Sequence, residues 1–226
     1  MELIVNGLTK FLFGIGFFGL LIFLPAGTFR YFGGLLFCAL LFIPVLIMGI
    51  VLLIKAPELL RKRLNFKEKE NTQKGVVAAS ALIFLVGFVL AGLDFRFSLT
   101  DVPKALTITA SVIFLLCYAL YAEVMRENAY LSRTIEAQEG QKVVDTGLYS
   151  VVRHPMYAAT VFMFLSVPLI LGSWLAFIVF LFYPIVIAVR IVNEEKVLSE
   201  ELSGYTEYKK KVKYRIIPFI FMIKIR

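Results

Sequence analysis

Chemistry in this 226-residue chain concentrates in two short stretches. The first is Gly147-Leu148-Tyr149-Ser150-Val151-Val152-Arg153-His154-Pro155-Met156-Tyr157, which holds the sole histidine and stands where a polar segment meets an apolar one. A proline in the first turn of a helix loses no hydrogen bond and presets the backbone dihedral, so His154-Pro155 reads as the mouth of a helix running on through Ala158. Such a mouth attracts anions through its unpaired N–H groups and its dipole, and Arg153 and His154 stand beside it. The second stretch is Arg190-Ile191-Val192-Asn193-Glu194-Glu195. Arg190 and Glu194 are one turn apart and share a helix face, whereas Glu195 is expected to face solvent.

The elements that must position these residues are apolar. The chain is 60% hydrophobic and 15% aromatic, carries 22 Phe and has a mean hydropathy of +0.85, far outside the range of a soluble domain. Four runs, Phe11 to Phe29, Tyr31 to Ile54, Gly75 to Leu93 and Ala105 to Ala122, come close to the ~20 residues that cross a hydrocarbon layer. Two shorter runs, Tyr157 to Leu171 and Trp174 to Val189, contain Pro168 and Pro184 and are joined by Gly172-Ser173. They predict a tight helical hairpin that spans or re-enters the bilayer and returns the chain to one side. Its two ends would bring Arg153, His154 and Tyr157 near Arg190 and Glu194, in a pocket at headgroup level open to both water and lipid. The expected fold is therefore an all-α, multi-pass integral membrane protein with about six apolar helical segments.

With six crossings, 21 of the 24 Lys and Arg fall on the side of both termini and His154; Arg30, Arg96 and Lys104 fall on the other. The positive-inside rule then makes the first side cytosolic, in the cell membrane of a prokaryote or the endoplasmic reticulum of a eukaryote. The formal charge of +8 is mostly this topology signal, since no loop interleaves basic residues with exposed aromatics as a nucleic-acid surface would. Glu2 precedes the first run and no small-residue cleavage site follows, which reads as a retained helix. Cys38 and Cys117 lie inside apolar runs, and with one histidine no metal site is expected.

Two regions differ in character. Residues 1–104 form N-terminal membrane helices with one mixed-charge connector, Lys55 to Lys74, in which nothing suggests chemistry. Residues 105–226 hold the polar material and the pocket. From Asn193 to Tyr214, Leu198, Leu202, Tyr205, Tyr208 and Val212 mark one face of an amphipathic helix, with Lys209, Lys210, Lys211 and Lys213 on the other. That helix would lie on an anionic leaflet or cap the helices above it, its tyrosines packing or anchoring.

Taken in order, Gly147-x-Tyr149, Arg153-His154-Pro155-x-Tyr157, Arg190 followed by Glu194-Glu195, Tyr205-x-x-Tyr208 and Ile217-Pro218 resemble the isoprenylcysteine carboxyl methyltransferase and phospholipid methyltransferase superfamily of integral membrane enzymes. The resemblance covers roughly Asn128 to Phe219. It implies an S-adenosylmethionine-dependent methyltransferase, with its cofactor in a cytosol-facing pocket and a lipophilic acceptor entering from the bilayer. Carried over, Tyr149, His154, Pro155, Met156 and Tyr157 would line the cofactor, and Gln141, Lys142, Val143 and Val144 would border its adenosine end. Glu194 would hold its ammonium group, and Arg190 would face an acceptor carboxylate, with His154 the second catalytic candidate. Leu148 replaces a proline frequent in the family, a small change in a turn.

These roles suit the chemistry. S-adenosylmethionine carries a sulfonium, an ammonium and a carboxylate, and asks for an acid, a donor-rich end and aromatic walls. A carboxylate acceptor such as a prenylcysteine-type group is already ionised and needs no base, whereas an amine or thiol does, and His154 or a tyrosine would serve. A phospholipid amine, a small thiol, and a membrane reductase using a nicotinamide cofactor are the competing readings.

Overall fold

The computed structural model describes residues 2–64, 71–128, 130 and 140–218. Glu68, Glu70 and Glu139, part of the two polar connectors, lie outside them. Within them the chain is helical and has no strand: α1 (Glu2–Ala26), α2 (Phe32–Lys55), α3 (Pro57–Leu64), α4 (Asn71–Phe97), α5 (Lys104–Glu127), a 3₁₀ turn (Gly147–Ser150), α6 (Pro155–Leu171), α7 (Trp174–Phe180), α8 (Tyr183–Glu201) and α9 (Tyr205–Lys211).

Four of these helices, α1, α2, α4 and α5, are long and apolar enough to cross a membrane, and α7 with α8 forms a fifth such stretch, Trp174–Glu201. Outward-facing Phe13, Leu24, Ile54, Leu82, Ile108 and Leu116 are each more than half exposed, as side chains facing lipid would be. The 17 residues of α6 reach about 26 Å, fewer residues than any of these five stretches has.

The predicted hairpin is present but unequal. Gly172 ends α6 in the left-handed region (φ 78°), with its N–H on the Leu169 carbonyl and the Ser173 N–H reaching back to the Pro168 carbonyl. The return limb does not stop near Val189. After a break at Leu181-Phe182, just ahead of Pro184, it runs as α8 to Glu201 and carries Arg190 and Glu194 outward. The tail is also not one helix from 193 to 214: Gly204 (φ 84°) interrupts it between α8 and α9. Its apolar face is real but buried, with Leu202, Tyr205, Tyr208 and Val212 packed on Val143 and Leu198.

The N-terminal helices and the hairpin share one core. Ile22, Phe37, Phe88, Phe114, Val167, Ile170 and Phe180 come from six helices and are almost fully buried together. At the end of the bundle remote from His154, the Asp94 carboxylate accepts from the Thr100 N–H (2.7 Å) and from the Thr100 and Ser173 hydroxyls (2.5 Å each). The Ser173 oxygen in turn accepts from Ala176 N–H and caps α7. This buried acid pins the hairpin turn to the α4–α5 connection. Asp94→Ala is expected to strand these donors and destabilise the protein by about 2–3 kcal/mol, measured by thermal unfolding in detergent. An unchanged unfolding temperature would show that the turn holds without it.

Candidate active site

Gly147 starts the site. Its φ of 54° suits glycine, and an added Cβ would run into the Glu127 carboxylate. That carboxylate, at the end of α5, accepts the Leu148 N–H at 2.9 Å and so anchors the 3₁₀ turn. Next to it, Asn128 donates to the Tyr149 hydroxyl at 3.0 Å, and the Tyr208 hydroxyl donates to the Tyr149 carbonyl at 2.7 Å. Tyr149 is thereby held from both sides, and burial pushes its phenol up to about 12, so it stays protonated near neutral pH.

The mouth of α6 is fastened to the tail. Arg153 N–H donates to the Tyr214 carbonyl (2.9 Å) and His154 N–H to the Arg215 carbonyl (2.8 Å). Pro155 occupies the first helical position, as predicted, and the following Met156 and Tyr157 N–H groups have no acceptor within the helix. Contrary to the sequence reading, Glu195 does not face solvent; it is 3% exposed. One oxygen accepts from Arg153 Nε (2.7 Å) and lies 3.2 Å from His154 Nε2; the other accepts from Arg215 Nη2 (2.8 Å) and Nε (3.1 Å). Arg153 also donates to the Val212 carbonyl at 2.6 Å. The physical reason is helical phase. Tyr183, Ile187, Ile191 and Glu195 form a buried stripe at four-residue steps, so Glu195 ends the inward face of α8.

Glu194, one residue back, turns elsewhere. Its Oε2 accepts from the Tyr157 hydroxyl at 2.5 Å, its other oxygen is 3.9 Å from His154 Nδ1, and Arg190 Nε donates to the same Tyr157 oxygen at 2.8 Å. The Arg190 guanidinium lies 6.0 Å from the centre of the Tyr157 ring. An acid and a cation from one turn of α8 therefore meet on one phenol of α6.

These groups surround a cavity of about 830 Å³, counted out to its open mouth. All the residues proposed from sequence line it: Gln141, Lys142, Val143, Val144, Tyr149, His154, Pro155, Met156, Tyr157, Arg190 and Glu194. Asn128, Tyr130, Arg153, Leu198, Leu202, Tyr205 and Tyr208 line it as well. Of these, Tyr205 and Tyr208 are expected from the sequence only to pack or to anchor the tail, and their place in the cavity wall is a finding of the structure. Arg63 is a further surprise, because the Lys55–Lys74 connector had suggested no chemistry. On α3, its guanidinium donates to the Tyr121 hydroxyl, lies 5.2 Å from that ring's centre and is 3.8 Å from the Met156 sulfur. The mixed charge around it hid a cation next to the cavity wall.

The arrangement suits an amphoteric ligand: one carboxylate available at Glu194, free helix-mouth N–H groups beside it, and phenolic walls. Residues 103–203 match the family model for phospholipid methyltransferases. A solved structure of a eukaryotic intramembrane Ras methyltransferase, isoprenylcysteine carboxyl methyltransferase, aligns over 97% of this chain and 88% of its own, at 18% identity and a TM-score of 0.49. At that score the likeness bears on neither activity nor substrate. No curated protein matches the chain.

The two adjacent glutamates should separate by experiment. Glu195→Gln would leave Arg153 and Arg215 without their buried counter-charge and is expected to cost about 3 kcal/mol of stability. Glu194→Gln should cost about 1 kcal/mol or less, the worth of one hydrogen bond. Unfolding of the ligand-free proteins in detergent measures both, and the reverse order would contradict the assignment of Glu195 as the structural acid.

Proposed function

We propose that the chain is an integral membrane methyltransferase of the superfamily that includes the phospholipid and isoprenylcysteine carboxyl methyltransferases, a reading supported by the family match over residues 103–203, and that it uses S-adenosylmethionine to methylate a lipophilic, membrane-resident acceptor, in the first instance a carboxylate such as a prenylcysteine-type group. The observation that carries this reading is the Arg190–Tyr157–Glu194 cluster, which sets a cation and an acid on one phenol at the cavity wall.

The residues fit the cofactor. Glu194 would hold the ammonium, the Met156 and Tyr157 N–H groups would face the carboxylate, Tyr149 and Tyr157 would wall the sulfonium, and Gln141 to Val144 would border the adenosine. When bound, the cofactor supplies an electrophilic methyl group on a positively charged sulfur. The protein's own part is positioning and partial exclusion of water. Arg190 orients an anionic acceptor through a two-pronged guanidinium contact that no point charge reproduces. His154 is engaged by Glu195, which suits a scaffold role better than that of a general base.

A second reading, a phospholipid amine acceptor, is favoured by the family model at residues 103–203. An amine must lose a proton, and the Tyr157–Glu194 pair would then be the group to receive it. By the charge distribution of the loops, the cavity would open to the cytosol.

Glu194→Gln is expected to weaken S-adenosylhomocysteine binding by about 1.5–3 kcal/mol, as for a hydrogen bond to a charged group, read by calorimetry; unchanged affinity would reject Glu194 as the cofactor's acid. Arg190→Ala should sharply reduce turnover with labelled cofactor and total membrane lipid while leaving S-adenosylhomocysteine affinity nearly unchanged, and Arg190→Lys should recover little. Full activity in Arg190→Ala would reject the carboxylate acceptor and leave the methyltransferase reading standing.

A further inference from the structure

Tyr205 is 4% exposed, and its hydroxyl has no hydrogen-bond partner among the described residues, although it lines the cavity. Two cavity-lining neighbours differ in this respect: the Tyr157 hydroxyl donates to Glu194 and the Tyr208 hydroxyl to the Tyr149 carbonyl. Burying a phenol without an acceptor forfeits its hydration with no return, and folded proteins rarely tolerate it unless a ligand or water completes the bond.

The placement of Tyr205 is fixed. Gly204, in the left-handed region, turns the chain out of α8, the Tyr205 N–H then bonds the Leu202 carbonyl at 3.2 Å, and the Tyr205 ring packs at 5.7 Å from Tyr208. Its charged surroundings are Glu195, Glu194 and Arg153. Burial and the two carboxylates push the phenol above its ordinary value, so it is a proton donor in search of an acceptor.

We infer that the Tyr205 hydroxyl donates a hydrogen bond to the carboxylate of the cofactor's amino-acid end, completing a zwitterion seat whose acid is Glu194. The inference rests on the methyltransferase reading. At the end of the ligand held by Glu194, the ammonium and sulfonium accept no hydrogen bond, and the carboxylate is the acceptor that remains. Because Glu194 would take the ammonium, the carboxylate on the same carbon would lie close to it in the cavity that Tyr205 also lines, where the Tyr205 hydroxyl would join the Met156 and Tyr157 N–H groups as a donor to that carboxylate. The tail then does more than cap the cavity: α9 supplies a ligand contact from outside the segment that matches the family model.

The test compares Tyr205→Phe with the unaltered protein, using S-adenosylhomocysteine and its decarboxylated analogue, S-adenosyl-3-thiopropylamine, by calorimetry. Tyr205→Phe removes one oxygen from an unsatisfied position, so the ligand-free protein should unfold at the same temperature or higher. Its affinity for S-adenosylhomocysteine should fall about tenfold or more, as for a lost hydrogen bond to a charged group, while affinity for the decarboxylated analogue changes by less than about twofold. Equal weakening of both ligands, or of neither, overturns the inference; the second result would mean that only water meets the hydroxyl. Failure of the unaltered protein to bind S-adenosylhomocysteine overturns the methyltransferase reading together with this one, whereas binding that Tyr205→Phe leaves intact overturns this one alone.

Discussion

A single buried carboxylate, Glu195, holds the site together. It receives Arg153 from the approach to α6, His154 from the mouth of α6 and Arg215 from the tail, three basic groups on one acid. The backbone bonds from Arg153 and His154 to residues 214 and 215 run alongside, so side-chain charge and main chain fasten the same seam. Without that acid two guanidinium groups would be left in a poorly hydrated place, and the seam would open. The direction of α6 at Pro155, and hence the position of its free N–H groups and of Tyr157, follows from this anchorage.

The anchorage also divides labour between neighbouring charges. Helical phase sends Glu195 into the seam and Glu194 to the cavity wall, so adjacent residues of one chemistry act on different sides. Arg153 is committed to Glu195 and the Val212 carbonyl, which leaves Arg190, on the Tyr157 phenol, as the α8 cation at the cavity wall. His154 is pinned at one ring nitrogen by Glu195 and is 3.9 Å from Glu194 at the other. Under the proposed function, a site so arranged would orient charged reactants, which is most of what methyl transfer to an ionised acceptor requires.

Much of this was legible in the sequence because the signals are local. Apolar run lengths marked the membrane helices, Pro155 marked the start of α6, and the four-residue offset joined Arg190 to Glu194. What escaped was set by tertiary contacts. Glu195 looked solvent-exposed as one of two consecutive acids, although the stripe Tyr183, Ile187, Ile191 carried the clue to its burial. Arg63 looked like one more charge in a polar connector, and only the packing of α3 near α5 brings it to Tyr121 and Met156. The face of the tail was read correctly and its continuity was not: Gly204 breaks the helix, and the buried partner is Val143. The N-terminal half gave no motif because its contribution is a shared aromatic core, with Phe37 and Phe88 packed against Phe114 and Phe180, respectively.

The central claim is that the cavity between the mouth of α6 and Glu194 is a seat for S-adenosylmethionine and not for a nicotinamide. Titrating the purified, unaltered protein in detergent with S-adenosylhomocysteine and, separately, with NADPH tests it without knowledge of the acceptor. Saturable binding of S-adenosylhomocysteine at one site per chain, with no heat from NADPH, is the expected result. Binding of NADPH with none of S-adenosylhomocysteine would contradict the account.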